Sequence, residues 1–115
     1  PEAKSLDQGE RVELAIVVSG IRRDLGDHAV AAAGLEIPEL AGSAQKPWAG
    51  RLRYAYAEAL LALGDADAAR DWFARAVDAD PEGLTDAAER LEELDGVSYV
   101  DLDGEDDAED DDADA

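Results

Sequence analysis

Residues able to do chemistry are few in this chain, and most carry one sign of charge. Thirty Asp plus Glu stand against ten Lys plus Arg, for a formal net charge of −20. Arg22, Arg23, Arg51 and Arg53 form the only local concentrations of positive charge. Clustered guanidiniums can clamp a carboxylate through charge-assisted hydrogen bonds. In so acidic a chain, pairing with its own carboxylates is the competing use and the expected one. His28 is the single histidine, beside Asp27 and near Asp24. It lacks a nucleophile to activate, a second histidine and a Gly-rich phosphate loop, so it reads as a helix-start residue and not as a base. Without cysteine, disulfides, thiolate chemistry and Cys-type zinc sites are excluded, and the composition is compatible with a reducing cytosol. No constellation supports catalysis, and no cofactor or metal is expected.

The acidic C-terminus invites a calcium reading. Placing Gly104 on the invariant glycine of an EF-hand loop puts Asp101, Asp103, Glu105 and Asp107 at plausible ligand positions. The same register puts Tyr99 on the first ligand and Asp110 on the bidentate Glu, and no second flanking helix follows. Specific calcium binding is therefore not expected. Asp101 to Ala115 hold ten acids and no base, so this stretch carries −10 and the first hundred residues carry the other −10. Both halves repel nucleic-acid phosphates and anionic membranes, and if charge selects a partner that partner is basic.

The elements that position these side chains are helices. Much of the 46% hydrophobic content is alanine, which favours close-packed helices over a β-sandwich. Residues 1–9 read as a polar lead-in. Glu10 to Leu25 has helical periodicity, with Leu14, Val17, Val18, Ile21 and Leu25 on one face and Val12, Ala15 and Ile16 on another. Two apolar faces require two neighbours, one of them from outside the segment. Gly26 suits a helix C-terminus, and Asp27 the N-cap of a short helix from His28 to Leu35 that Pro38 ends. Pro38 to Pro47 has loop composition, and a third helix runs from there to Leu63. Gly64-Asp65 repeats the Gly-Asp punctuation before a fourth helix, Ala66 to Ala79, closed by Pro81. Thr85 is a good N-cap for a fifth helix, Asp86 to Leu94, with Gly96 closing it. Val97 to Val100 forms a small apolar island, and the acidic tail, within 97–115, has the composition of a disordered segment. No apolar run approaches the length of a membrane span. The chain starts at Pro1, has no methionine and shows no signal-peptide pattern, which reads as a piece of a longer protein.

One unit recurs. Leu25-Gly26-Asp27 returns as Leu63-Gly64-Asp65, 38 positions on, followed at matching offsets by Ala31 and Ala69, then Leu35 and Phe73. A helix pair recurring at such a period is the mark of a solenoid whose units bury their faces on one another. With Pro81 as a terminal proline, Arg51 to Pro81 carries Ala57 and Leu60 in its first helix, Gly64 at its turn, and Ala69, Phe73 and Ala76 in its second. On these residues the chain resembles the tetratricopeptide repeat family, whose helical hairpins repeat at about 34 residues. The resemblance spans residues 10–96: a degenerate repeat at 10–38, the best repeat at 50–82 and a capping helix at 85–95. Arg53 departs from it, occupying the usual Trp or large apolar position.

The resemblance implies an all-α, right-handed solenoid of about five helices, of a composition common in bacteria with GC-rich genomes, and a cytoplasmic location. It also implies a concave groove lined by the first helix of each hairpin, at Arg51, Tyr54, Glu58 and Leu61. By helical wheel, Tyr54, Glu58 and Leu61 share a face turned away from the stripe of Trp48, Leu52, Ala55, Ala59 and Leu63. This face reads either as a peptide groove with an aromatic anchor or as packing on an absent neighbour. The asparagines that accompany the bases of a tetratricopeptide carboxylate clamp are missing, since the chain has no Asn. The expected function is protein binding as an adaptor or scaffold, without nucleic acid or membrane as partner. Two alternatives stay open: a homodimer through residues 10–25, and a domain that regulates or positions an enzyme.

Overall fold

Asp7 and Glu10 cap the first helix reciprocally. The Asp7 carboxylate accepts from the Glu10 N–H at 2.8 Å, and the Glu10 carboxylate accepts from the Asp7 N–H at 3.1 Å. This capping box satisfies two backbone donors and sets the start of α1, Gln8–Asp24. The helix therefore begins two residues before Glu10, and Gly9 is helical instead of part of a lead-in. The computed structural model describes residues 7–96. The remaining lead-in, the Val97 to Val100 island and the acidic tail lie outside them.

Gly26, at φ 87°, turns the chain into α2, His28–Ala33. Asp27 occupies the N-cap position but its side chain makes no capping hydrogen bond. Gly34 ends this helix earlier than expected, and Pro38 starts a 3-10 turn, Pro38–Ala41, inside the stretch that composition assigns to loop. Proline suits that first position because its missing N–H would have no partner there. The turn buries Leu40 and Glu39, and Glu39 accepts from Arg11 of α1. The Arg11 guanidinium holds the Glu39 carboxyl below the usual carboxylate range.

The second hairpin is longer. α3, Ala49–Leu63, ends on Gly64 at φ 100°, a left-handed conformation that strains any residue with a Cβ. α4, Ala66–Asp78, begins on Asp65, whose carboxylate accepts from the Ala68 N–H at 3.1 Å. Past Pro81 the Asp80 carboxylate gathers the next turn, accepting from the Thr85 hydroxyl at 2.6 Å and from the N–H groups of Thr85 and Leu84, each at 2.8 Å. These bonds, the Thr85 hydroxyl foremost, lower the Asp80 pKa. Thr85 in turn accepts from the Ala87 N–H at 3.2 Å, and a helix we label α5 spans 87–96. It runs through Gly96, where a stop was expected.

All regular structure among the described residues is helical. Phe73, Leu35, Leu52 and Val12 are the largest fully buried side chains. Around them Ala31, Ala57, Ala59, Ala69 and Ala76 are wholly buried, and this lets the helix axes approach closely. At Gly50 the space is tight enough that a Cβ would meet the Ala79 carbonyl oxygen at 3.0 Å. Arg53, which stands where the resemblance expects Trp or a large apolar residue, has a different task. Its guanidinium donates to the backbone carbonyls of Arg75 at 2.9 Å and Gly42 at 3.2 Å, tying α3 to α4 and to the loop. On α1, Val12 is buried with Ala15 and Ile16 packed beside the core, whereas Leu14, Val17, Val18, Ile21 and Leu25 are exposed. No helix among the described residues is long and apolar enough to cross a membrane.

Candidate functional site

Residues at i, i+3, i+7 and i+10 of a helix lie along one side of it, and on α3 these are Arg51, Tyr54, Glu58 and Leu61. Each meets a different environment. Arg51 is exposed and pairs with Glu13 of α1. Tyr54 is half-buried, its ring edge-on to Phe73 with centroids 5.5 Å apart, and its hydroxyl donates to Glu58 Oε2 at 3.0 Å. Burial raises the Tyr54 pKa, helped by hydrogen bonding to Asp86 and Glu58, so the phenol stays protonated.

Glu58 is the hub. Besides Tyr54 it accepts from Arg23 Nη1 at 3.2 Å and from Arg90 Nη1 at 2.8 Å, so one carboxylate joins α1, α3 and α5. Arg90 also reaches Glu93 through its Nε at 3.6 Å, so the two guanidiniums face two carboxylates here. Arg90 also lies over the Phe73 ring, 5.3 Å from its centroid. Leu61 is partly buried beyond this bridge.

The side of α3 is thus divided into three hollows by two ionic bridges. A wide, open concavity of about 940 Å³ lies at the helix start, against Trp48 and Pro47, and Arg51–Glu13 borders it. A cleft of about 380 Å³ follows, with Ile16 and Arg23 of α1 on one wall, Arg51, Tyr54 and Glu58 on the floor, and Leu84 to Asp86 opposite. The third is a notch of about 270 Å³ behind the Arg23–Glu58–Arg90 bridge, and it holds Leu61. Arg51, Tyr54 and Glu58 therefore share the central cleft, and Leu61 sits in the next hollow.

Sequence reasoning missed Arg90, Glu13, Leu84 and Asp86 as parts of this surface. Arg90 and Glu13 looked like ordinary charges on amphipathic helices. Their pairs with α3 join residues 32 and 38 positions apart, which no local pattern exposes. For Leu84 a signal existed: a large aliphatic beside a Gly83 turn, isolated from any helical stripe.

The second aromatic on α3 belongs elsewhere. Tyr56 donates to Glu36 at 2.8 Å and packs edge-on to Trp72 at 5.1 Å. Burial, then the bond to Glu36, pushes its pKa up to about 12. Arg75 caps Trp72 from outside, 4.4 Å from the ring centroid.

Chemically the cleft sets guanidinium donors and carboxylate acceptors around an aromatic floor. Arg23 and Arg90 have N–H donors beyond those given to Glu58, since each guanidinium carries five. Among the described residues no group of three or more His, Cys, Asp and Glu stands close enough to hold a metal ion. No family model matches the chain, and no curated protein or solved structure is found to be similar to it.

Proposed function

We propose that this chain is a tetratricopeptide-like helical-repeat segment, right-handed in its stacking, that binds a peptide or protein segment along α3 as an adaptor or scaffold. The observation that carries the reading is the open cleft whose floor offers Tyr54 between two ionic bridges. Support for the repeat comes from Gly26 and Gly64, both at positive φ and 38 positions apart, and from the complete burial of Ala57, Ala69, Phe73 and Ala76 at the helix contacts. The cysteine-free composition suits a reducing compartment such as the cytoplasm.

Tyr54 and Leu61 are seven residues apart on one helix, about 10 Å along its axis. Roughly three residues of polyproline II peptide, one full turn, cover that distance and bring side chains three positions apart to the same side. A fitting ligand therefore presents two apolar side chains three positions apart, one to each hollow. Its backbone crosses the Arg23–Glu58–Arg90 bridge, where the remaining guanidinium donors take a carbonyl or a terminal carboxylate. Tyr54 and Leu61 supply the burial, and Arg51 and Glu58 set the polarity at either side. The strongly acidic chain favours basic residues flanking that core, and the acidic C-terminal stretch adds solubility or draws basic partners closer.

Selection from a displayed random-peptide library tests this directly. Expected are binders with two apolar residues at i and i+3, whose affinity falls roughly thirtyfold in Tyr54→Ala, as for a central anchor. Binders indifferent to both Tyr54→Ala and Leu61→Ala would sink the proposal.

A further inference from the structure

The 38-residue correspondence that relates the two hairpins also relates their faces. Leu14, Val17, Val18 and Ile21 of α1 fall on Leu52, Ala55, Tyr56 and Ala59 of α3. In α3 this face is turned to the first hairpin: Leu52 and Ala59 are fully buried, Ala55 borders the cleft beside Ile16, and Tyr56 reaches Glu36. In α1 the matching four, with Leu25 beyond them, are 44% to 68% exposed. The same positions are thus a covered helix seat in one hairpin and an open one in the other.

We infer that the open seat is covered by a second copy of this chain, α1 against α1 about a twofold axis. Two observations select this occupant. Among the described residues, the opposite end of the stack presents an acidic helix. The exposed positions of α5 include Glu89, Glu92, Glu93 and Asp95, and its Leu91 and Leu94 pack inward. Head-to-tail stacking would set the aliphatic face of α1 on these carboxylates, whereas an isologous arrangement lets each patch meet its own like. The second observation is size. Five aliphatic side chains along α1 and its C-cap, Leu14, Val17, Val18, Ile21 and Leu25, make a patch on the order of 500 Å², at the top of what a monomer leaves uncovered. Pairing two such patches buries roughly 1,000 Å², the lower bound of a specific interface. The seat lies on the outer side of α1, away from the cleft, so pairing leaves Tyr54 accessible and peptide binding is measured separately.

Sedimentation of the full chain over about a hundredfold dilution tests the inference. The chain is expected to pass from twice its mass to its monomer mass across that range. Ile21→Lys and Val17→Lys, both at exposed positions, are expected to stay monomeric throughout with unchanged far-UV helical signal. Because the chain has no cysteine, Val18→Cys allows a second readout: a short bis-thiol reagent should link two copies, whereas Ala88→Cys on α5 should give no dimer. A wild-type chain that remains monomeric at every concentration overturns the inference. So does a dimer that survives both lysine variants, or cross-linking equal at positions 18 and 88. A monomer that instead takes a foreign helix on this face would equally refute pairing of copies.

Discussion

The hairpins α1–α2 and α3–α4 share a Leu-Gly-Asp turn and yet are unequal. At matched positions their cores agree: Ala31 and Ala69 are both fully buried, as are Leu35 and Phe73. They differ in the length of the second helix, six residues against thirteen, and in the outer face of the first. Leu35 fills the position of Phe73 although it lies beyond the end of α2. The repeat therefore conserves where the chain must be buried more strictly than how long it stays helical. The core position is held by packing, whereas helix length is set by local stop signals such as Gly34.

The sharpest way to break this comparison is a pair of truncations at corresponding residues. Leu52→Ala removes a fully buried side chain and leaves a cavity, and should cost about 2–5 kcal/mol in denaturant unfolding. Leu14→Ala, measured on the monomer, trims a half-exposed side chain and should cost under about 1 kcal/mol. Equal losses would mean that α1 has a partner on that face within the monomer.

A smaller effect tests the shared core. Ala69 has no exposed surface, and a leucine there must push α4 away from its neighbours, costing about 1–3 kcal/mol. Ala31→Leu meets the same constraint but sits in a six-residue helix that can shift more easily, so its cost should fall at the low end of that range. A melting temperature unchanged in Ala69→Leu would remove Ala69 from the tight contacts.

How much of this was legible beforehand follows from the range of each interaction. The 3.6-residue periodicity, the Gly-Asp turns and the buried alanines are local patterns, and they placed all five helices to within a few residues. The capping box Asp7 to Glu10 is local too, but it lies at the edge of a stretch, residues 1–9, whose polar composition reads as a lead-in. Pro38 reads as a terminator in sequence and yet starts a helical turn, an ambiguity inherent in a residue that both ends and begins helices. The face of Tyr54 and Glu58 was visible on a wheel. Its division into hollows was not, because Arg23 and Arg90 reach Glu58 only once three helices are packed.

Acid should erode the two hairpin exits together, through a narrower window. Glu39 and Asp80 follow α2 and α4, and each carboxyl is held below its ordinary pKa, by Arg11 and by Thr85 respectively. For a carboxylate with a depressed folded pKa, the stabilisation is fully present above its unfolded value and is lost as pH falls through the folded one. The melting temperature should therefore hold from neutrality down to about pH 5 and drop below about pH 4, where the unfolded carboxylates bind protons first. Glu39→Gln and Asp80→Asn should each lower the neutral-pH value and flatten the acid limb. A variant with the wild-type acid slope would show that its carboxylate is not linked to folding.

The smallest expected difference concerns the turn that the hairpins have in common. Asp27 and Asp65 occupy the same place after a positive-φ glycine, and sequence alone treats them as equivalent N-caps. Only Asp65 accepts from a backbone N–H, that of Ala68, whereas the Asp27 side chain makes no cap bond and lies 3.8 Å from Arg22. Asp65→Ala should cost about 1 kcal/mol, the usual loss for a cap whose side chain bonds the first turn. Asp27→Ala should cost a few tenths at most, since the exposed pair with Arg22 contributes little in water. The two helices also differ in length, thirteen residues in α4 against six, fewer than two turns, in α2. Matching losses at the two sites would mean that Asp27 caps α2 in solution, and the hairpins would then be more alike than their helix lengths imply.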